Sequence, residues 1–174
     1  APRNQGKGAA VRRGMGTGSD GKIYYVLCSE SYKIGAQMYC YDPATDTWTV
    51  GTPMPTARFG ASCCVLDGRI YVVGGSPAFR EDATNAVEAY DPATDTWTVL
   101  SPMPTTRHHF PAVVVRDGKI AAIGGCTGTG ESYPSPVRAV EVYDPQTDTW
   151  DERASYPPLA EREIAHMRVA SYAQ

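Results

Sequence analysis

The sequence predicts an all-β protein made of three repeated, four-stranded antiparallel units. The main observation is an eight-residue motif at 41–48, 90–97 and 143–150, each copy beginning with Tyr-Asp-Pro and ending with Asp-Thr-Trp. A period of about fifty residues, with short strands and turn signals, is typical of stacked β architectures. Two strand-sized runs, 70–73 and 112–115, are apolar throughout, which predicts strands covered on both faces.

The middle repeat illustrates the strands of one unit and the turns between them. The strands are predicted at 58–66, 69–73, 86–90 and 96–99. Asp67-Gly68 is a residue pair that a tight hairpin prefers, and Asp91-Pro92 suits the first two positions of a type I turn. Pro102 and Pro104 end the unit, because proline fits neither a helix interior nor the middle of a sheet.

Composition excludes several functional classes. The chain has 174 residues, a formal net charge of −3 and no run of Lys and Arg, so we predict no nucleic-acid partner. The longest apolar stretches have the length of strands, which argues against a membrane span or a membrane partner. The polar amino end lacks the apolar core of a signal peptide, although such a peptide can already have been removed.

The five cysteines, at 28, 40, 63, 64 and 126, are odd in number and lack metal-ligand spacing. Cys63 and Cys64 lie in an apolar run, where we expect two small buried side chains. We therefore predict no disulfide framework and favour a reducing compartment such as the cytoplasm. Secretion after signal cleavage stays open.

The repeat resembles the kelch motif of β-propellers. The resemblance rests on the double glycines at 74–75 and 124–125, and on the tyrosine and tryptophan of each later repeat. It extends from about residue 20 to 171, and it implies four-stranded blades around a central channel. The first unit departs from the pattern, because Leu27-Cys28 stands where the double glycine is expected.

The resemblance divides the chain into a polar, glycine-rich segment at 1–20 and kelch repeats at 21–174. The blades are expected at about 22–50, 58–99 and 107–151, followed by a closing strand at about 162–170. Because three blades cannot close a ring, we predict a homodimer with six blades, in which each C-terminal strand completes the first blade of the other copy. The alternative is that the chain is one piece of a larger propeller, whose remainder is supplied by a second chain or has been lost by cleavage.

Three arginines occupy equivalent positions at the start of the predicted inner strands: Arg58, Arg107 and Arg162. By symmetry they are expected to surround one mouth of the channel, where guanidinium groups suit carboxylates or phosphates. The resemblance to BTB-kelch adaptor proteins implies that such arginines bind acidic peptides. The alternative is that each arginine pairs with a local carboxylate or carbonyl group.

Three histidines are candidate channel residues: His108, His109 and His166. Neighbouring residues of a strand point to opposite faces, so His108 and His109 are not expected to share one ion. Galactose oxidase, a kelch-like propeller, holds copper with histidine and tyrosine ligands, but no matching local pattern is present. We therefore predict neither a metal site nor a cofactor.

The loops after the second strands carry side chains typical of interface anchors: Tyr32, Phe79, Arg80 and Tyr133. Together with the arginines and with His108 and His166, they form the predicted ligand-binding set. We predict a module that binds a protein or peptide, possibly acidic, at the channel mouth. The alternative is an enzyme acting on a small sugar or secondary metabolite in the channel, with His166 and Glu163 converging on it. No catalytic residue is assigned.

Overall fold

The computed structural model describes residues 14–17, 20–30, 33–77, 81–115, 117–128 and 135–157. They form three four-stranded antiparallel sheets, which we call blades 1, 2 and 3. Blade 1 contains β1 (Gly14–Thr17), β2 (Ile23–Glu30), β3 (Lys33–Asp42) and β4 (Thr47–Gly51). Blade 2 contains β5 (Ser62–Leu66), β6 (Arg69–Val73), β7 (Val87–Asp91) and β8 (Thr96–Leu100).

Blade 3 is interrupted by a small additional ladder. Its strands are β9 (Ala112–Val115), β10 (Lys119–Ile123), β13 (Val140–Asp144) and β14 (Thr149–Arg153). Between β10 and β13, β11 (Cys126–Thr127) pairs with β12 (Ser135–Pro136). In every blade the strands are neighbours in chain order, with this ladder as the only insertion in the described part of the chain. The predicted all-β class and four-stranded antiparallel units are confirmed.

The tight hairpin of blade 2 forms where the sequence predicts it. Asp67 and Gly68 have φ angles of 50° and 75°, the pair of positive values that a type I′ turn requires. The first strand is shorter than predicted, however, because it starts at Ser62 rather than at Arg58. Gly60, with φ of 65°, breaks the extended backbone just before it.

The inner strand of blade 1 comes from the amino-terminal segment of the same chain. β1 pairs with β2 from Gly14↔Val26 to Thr17↔Ile23, and it lies beside β5 of blade 2. The prediction that the C-terminal strand fills this edge is therefore wrong, and the strand predicted at 162–170 lies outside the described residues. A glycine-rich segment can take this place because pairing uses backbone groups, whatever the side chains.

The departure of the first unit from the double-glycine pattern also has a structural explanation. β2 does not stop at Leu27 but continues to Glu30, with a register shift between Leu27 and Ser29. A bulge of this kind bends a strand without ending it. Extended pairing with β3 thus replaces the turn that the glycines make in the other two blades.

The core lies between the blades, and β6 contributes to both of its halves. Ile70 and Val72 pack in the cluster shared with blade 1, whereas Tyr71 and Val73 pack in the cluster shared with blade 3. All four side chains are buried. The prediction that this apolar run is covered on both faces is confirmed, because the side chains of a strand alternate between two buried faces.

The equivalent run in blade 3 is covered less completely. Ala112 is buried with the cluster shared with blade 2, but Val114 is 39% exposed. The prediction of complete coverage is therefore wrong at Val114, which lies on the same face of β9 as Ala112 because strand side chains alternate. In blade 1, the repeat tryptophan Trp48 is 61% exposed.

Hydrogen bonds at the outer rim connect each blade to the preceding one. The indole N–H of Trp97 donates to the carbonyl oxygen of Thr52 at 2.8 Å, and Trp150 makes the same bond to Ser101 at 2.9 Å. In the described part of the chain, no helix has the length and apolar character needed to cross a membrane.

Candidate functional site

The start of each inner strand defines one face of the blade stack, which we call the mouth face. In blade 2, Phe59 forms an isolated bridge with Ser76, and in blade 3 His108 forms the same bridge with Cys126. The described residues on this face belong to two short segments in each of blades 2 and 3. One precedes the inner strand, and the other follows the second strand.

Arg58 does not reach the mouth face as an open donor. Its Nη2 atom lies 2.9 Å from Oε2 of Glu88, and the two side chains are 0% and 1% exposed. Its Nη1 atom also donates to the carbonyl oxygen of Ala86 at 2.8 Å. Thr56 donates to the other carboxylate oxygen of Glu88 at 2.7 Å, so the pair is held from both sides.

Arg107 repeats this arrangement in blade 3. Its Nη2 atom lies 2.6 Å from Oε2 of Glu141, with both side chains fully buried. Its Nη1 atom donates to the carbonyl oxygens of Gly124 and Ala139, each at 3.0 Å. Burial lowers the pKa of the Arg107 guanidinium from its usual value, while the charge of Glu141 opposes this shift.

These two arginines thus follow the alternative interpretation, in which each one pairs with a local carboxylate and local carbonyl groups. The prediction that Arg58 and Arg107 present free donors at the mouth is wrong. Both guanidinium groups are buried, and a buried charge requires a partner of opposite charge close to it. Arg162 lies outside the described residues. The carboxylate partners were missed, although Glu88 and Glu141 both stand two residues before the repeat tyrosine.

His108 and His109 lie together, contrary to the prediction from strand alternation. Their Nδ1 atoms are 2.8 Å apart, and Sγ of Cys126 is 3.2 Å from Nδ1 of His108. The reason is that His109 has φ of 55°, so this segment is not an extended strand. His108 is buried and His109 is exposed. The proximity of Cys126 was missed, because its bridge to His108 joins residues 18 positions apart.

The remaining predicted site residues are Tyr32, Phe79, Arg80, Tyr133 and His166, and all of them lie outside the described residues. The same holds for Glu163, on which the enzyme alternative depends. Among the described residues, the mouth face includes Phe59, Gly60, Ser76, His108, His109 and Cys126.

The repeated aspartates serve the outer turns. Asp42, Asp91 and Asp144 each accept the backbone N–H two residues later, at 2.9 Å. The last aspartate of each motif accepts the hydroxyl of the repeat tyrosine, as Asp95 does from Tyr90 at 2.7 Å. Turn formation therefore explains the recurrence of these carboxylates.

Comparisons with known proteins agree with this architecture. Residues 57–104 and 107–155 match the Kelch motif. Kelch-like protein 36 of Bos taurus is 33% identical over 154 residues, covering 80% of this chain and 24% of that protein. The influenza virus NS1A-binding protein homolog of Mus musculus is 37% identical over 73 residues, covering 41% of this chain and 11% of that protein.

A solved structure has a similar fold. The structure of YjhT superposes with a TM-score of 0.67 at 22% identity, covering 83% of this chain and 50% of that chain. At this level of identity the likeness concerns the fold alone. The chain spans about a quarter of the length of the Kelch-like proteins it matches. The Kelch motif covers more than half of the chain, and the blades have the expected strand order; the chain therefore belongs to the kelch-repeat family.

Proposed function

We propose that this chain is a protein- or peptide-binding module and that its ligand is recognised on the mouth face. The observation that carries the proposal is a contrast between two parts of the blades. The outer turns make the same hydrogen bonds in blade after blade, as the bonds from Tyr90 to Asp95 and from Tyr143 to Asp148 show. At the mouth, a similar backbone bridge presents Phe59 in blade 2 and His108 in blade 3.

This contrast distinguishes the residues that maintain the fold from the residues that are available to bind a ligand. Side chains that repeat with their contacts are explained by folding, whereas side chains that vary on a constant frame are available for specificity. Phe59 is half-buried and His109 is exposed, and their rings meet edge to face with centroids 5.9 Å apart. Partly exposed aromatic groups on a rigid frame suit the anchor positions of a protein interface.

One relative supports a binding role by its name, since the mouse protein is called a homolog of an NS1A-binding protein. We do not extend the proposal to an acidic ligand. The charges of Arg58 and Arg107 are matched by buried Glu88 and Glu141. The connection after β6 adds the exposed residues Glu81 and Asp82.

Site-specific photo-crosslinking tests the proposal. Photoreactive benzoylphenylalanine is placed at Phe59 on the mouth face, or at Val99, which is 70% exposed on the outer strand of the same blade. Irradiation in cells that express the chain is expected to give a discrete protein adduct from position 59 and none from position 99. Phe59→Ala is then expected to reduce capture of that same protein, while Val99→Ala does not. Equal adducts from both positions would contradict recognition at the mouth.

We also propose that further kelch blades cover both open flanks, supplied in solution by a second copy of the chain. Trp97 and Trp150 each donate to the first residue after the outer strand of the preceding blade. Trp48 is the equivalent residue of blade 1 and is 61% exposed. The backbone of Ala154, four residues after Trp150, is the position equivalent to Thr52 and Ser101.

Mass measurement in solution tests this completion. The chain has a mass of 18.8 kDa, so a dimer is expected at twice that value. Trp48→Glu is expected to shift the population towards the monomer, because a carboxylate cannot replace the indole donor. A soluble monomer at all concentrations would contradict the second copy. It would leave recognition at the mouth face to be tested by crosslinking.

A further inference from the structure

The mouth segments of blades 2 and 3 share one backbone frame. In both, the residue after the buried arginine forms a bridge to the residue after the double glycine. The next residue in both has a positive φ, 65° for Gly60 and 55° for His109. The three frame positions hold Phe59, Gly60 and Ser76 in blade 2, and His108, His109 and Cys126 in blade 3.

All three positions carry a potential metal ligand in blade 3 and none in blade 2. In blade 2 they supply no imidazole or thiol group, and in blade 3 each supplies one. The candidate ligand atoms of blade 3 lie within 4.8 Å of one another. The two Nδ1 atoms are 2.8 Å apart, and Sγ of Cys126 is 3.2 Å from Nδ1 of His108.

Like Gly60 in blade 2, His109 has a positive φ, a backbone conformation that favours glycine. A non-glycine residue in the left-handed region is strained, and such strain is kept where the surroundings enforce it. The N–H of His109 donates to the carbonyl oxygen of Gly60 at 2.8 Å. A Cβ atom on Gly60 would lie 2.9 Å from Nε2 of His109. The ring therefore occupies space that only a glycine leaves open, and its Nδ1 faces His108.

The other two side chains are fixed by the bridge between their backbones. The N–H of His108 donates to Cys126 at 3.0 Å, and the N–H of Cys126 donates back at 3.1 Å. Residues paired in this way project their side chains to the same side of the ladder. The three groups are therefore brought together by backbone geometry and not by side-chain flexibility alone.

We propose that His108 Nδ1, His109 Nδ1 and Cys126 Sγ bind a divalent transition-metal ion, with zinc as the ion that fits. This proposal differs from our expectation from the sequence that no metal is bound, and it does not depend on the proposed peptide binding. Imidazole and thiolate are the ligands that zinc prefers, at about 2.0–2.1 Å and 2.3 Å. Binding converts the Cys126 thiol to a thiolate and releases its proton to solvent.

The cluster needs a small expansion to hold the ion. Tetrahedral zinc places two nitrogen ligands about 3.3 Å apart, and a nitrogen and a sulfur ligand about 3.6 Å apart. Each of the two close distances must therefore open by about half an ångström. Rotation of the exposed His109 side chain can open the distance between the two nitrogens, and rotation of the half-buried Cys126 side chain can open the distance between His108 and the sulfur. Three protein ligands leave the fourth position on the mouth face open to water or to a ligand group.

Cobalt substitution tests the site in untagged protein. Wild-type protein titrated with Co²⁺ is expected to show the near-ultraviolet thiolate-to-metal absorption, saturating at one ion per chain. Cys126→Ser and His109→Gly introduce the residues that blade 2 carries at these positions, so the frame tolerates both. Each is expected to lower Zn²⁺ affinity by roughly ten-fold or more, and Cys126→Ser to abolish the absorption. Cys63→Ser, which changes a cysteine on β5, serves as the matched control.

His109→Gly distinguishes metal binding from a structural role. It removes the strained residue, so the metal-free variant is expected to unfold at the same or a higher temperature than wild type. Zn²⁺ is expected to raise the unfolding temperature of wild type only. A titration without thiolate absorption, or the same absorption in both blade 3 variants, would overturn the proposal. A measurement on wild type alone is alkylation of Cys126, which Zn²⁺ must slow; unchanged labelling would also overturn it.

Discussion

Arg58 and Glu88 form an ion pair inside blade 2, with Nη2 of the arginine 2.9 Å from Oε2 of the glutamate and both side chains buried. The two residues come from different segments of the repeat, one before β5 and one on β7. Their pair therefore ties the start of the inner strand to the third strand. Arg107 and Glu141 do the same in blade 3.

Arg58→Ala is expected to lower the free energy of unfolding by about 3–5 kcal/mol, because it leaves the charge of Glu88 buried without its partner. Urea denaturation followed by tryptophan fluorescence measures the change. The matched control is Arg69→Ala, which breaks a pair with Asp91 whose side chains are 51% and 29% exposed. There the loss is expected to be at most about 1 kcal/mol. Similar losses from both variants would contradict a special role for the buried pair.

Trp97→Phe is expected to destabilise the protein by about 1 kcal/mol, since it removes the hydrogen bond to the carbonyl oxygen of Thr52. Trp48→Phe makes the same chemical change on blade 1, where the side chain is 61% exposed. At a concentration where the chain is monomeric, it is expected to change the stability by less than half as much. Thermal and urea unfolding of the two variants measure the difference. Equal losses would show that the indole bond between blades adds nothing.

The outer turns are expected to weaken in acid. Hydrogen bonds from the Tyr90 hydroxyl and from the backbone N–H of Thr52 lower the pKa of Asp95 below its usual value. Bonds from Tyr143 and Ser101 do the same for Asp148. A carboxyl group whose pKa is lower in the folded state stabilises that state above its unfolded pKa. This stabilisation is lost as the pH falls through the folded pKa.

The double variant Asp95→Asn, Asp148→Asn is therefore expected to be less stable than wild type at pH 6. The difference is expected to shrink as the pH falls below the usual aspartate value of 3.8. Urea unfolding at several pH values between 3 and 6 measures this dependence. A difference that stays constant across the range would show that these carboxylates do not account for the loss of stability in acid.

Cys64 is expected to resist alkylation in the folded protein. Burial raises the pKa of its thiol to about 12, so the reactive thiolate is scarce at pH 8. Iodoacetamide is expected to label Cys64 at least roughly ten-fold more slowly in native protein than in urea. Peptide mapping by mass spectrometry measures both rates. Rapid labelling in native protein would contradict the burial of this thiol.

The sequence alone determined the number of repeats, the strand order and the tight turns. These features depend on neighbours within a few residues, such as Asp67-Gly68, or on a motif that recurs with its contacts, such as Tyr90 with Asp95. The burial of β6 on both faces was also predictable, because a strand made only of apolar residues has no face suited to solvent.

Tertiary structure decided the roles of the arginines and the histidines. Arg58 lies near Glu88 only after three strands have paired, so its position in the repeat did not reveal whether the charge was buried or open. His109 lies beside His108 because its φ is positive, and the bridge then adds Cys126 from the next segment. Such contacts depend on register and local backbone geometry. A single residue outside the extended region reverses the direction of a side chain that strand periodicity would otherwise predict.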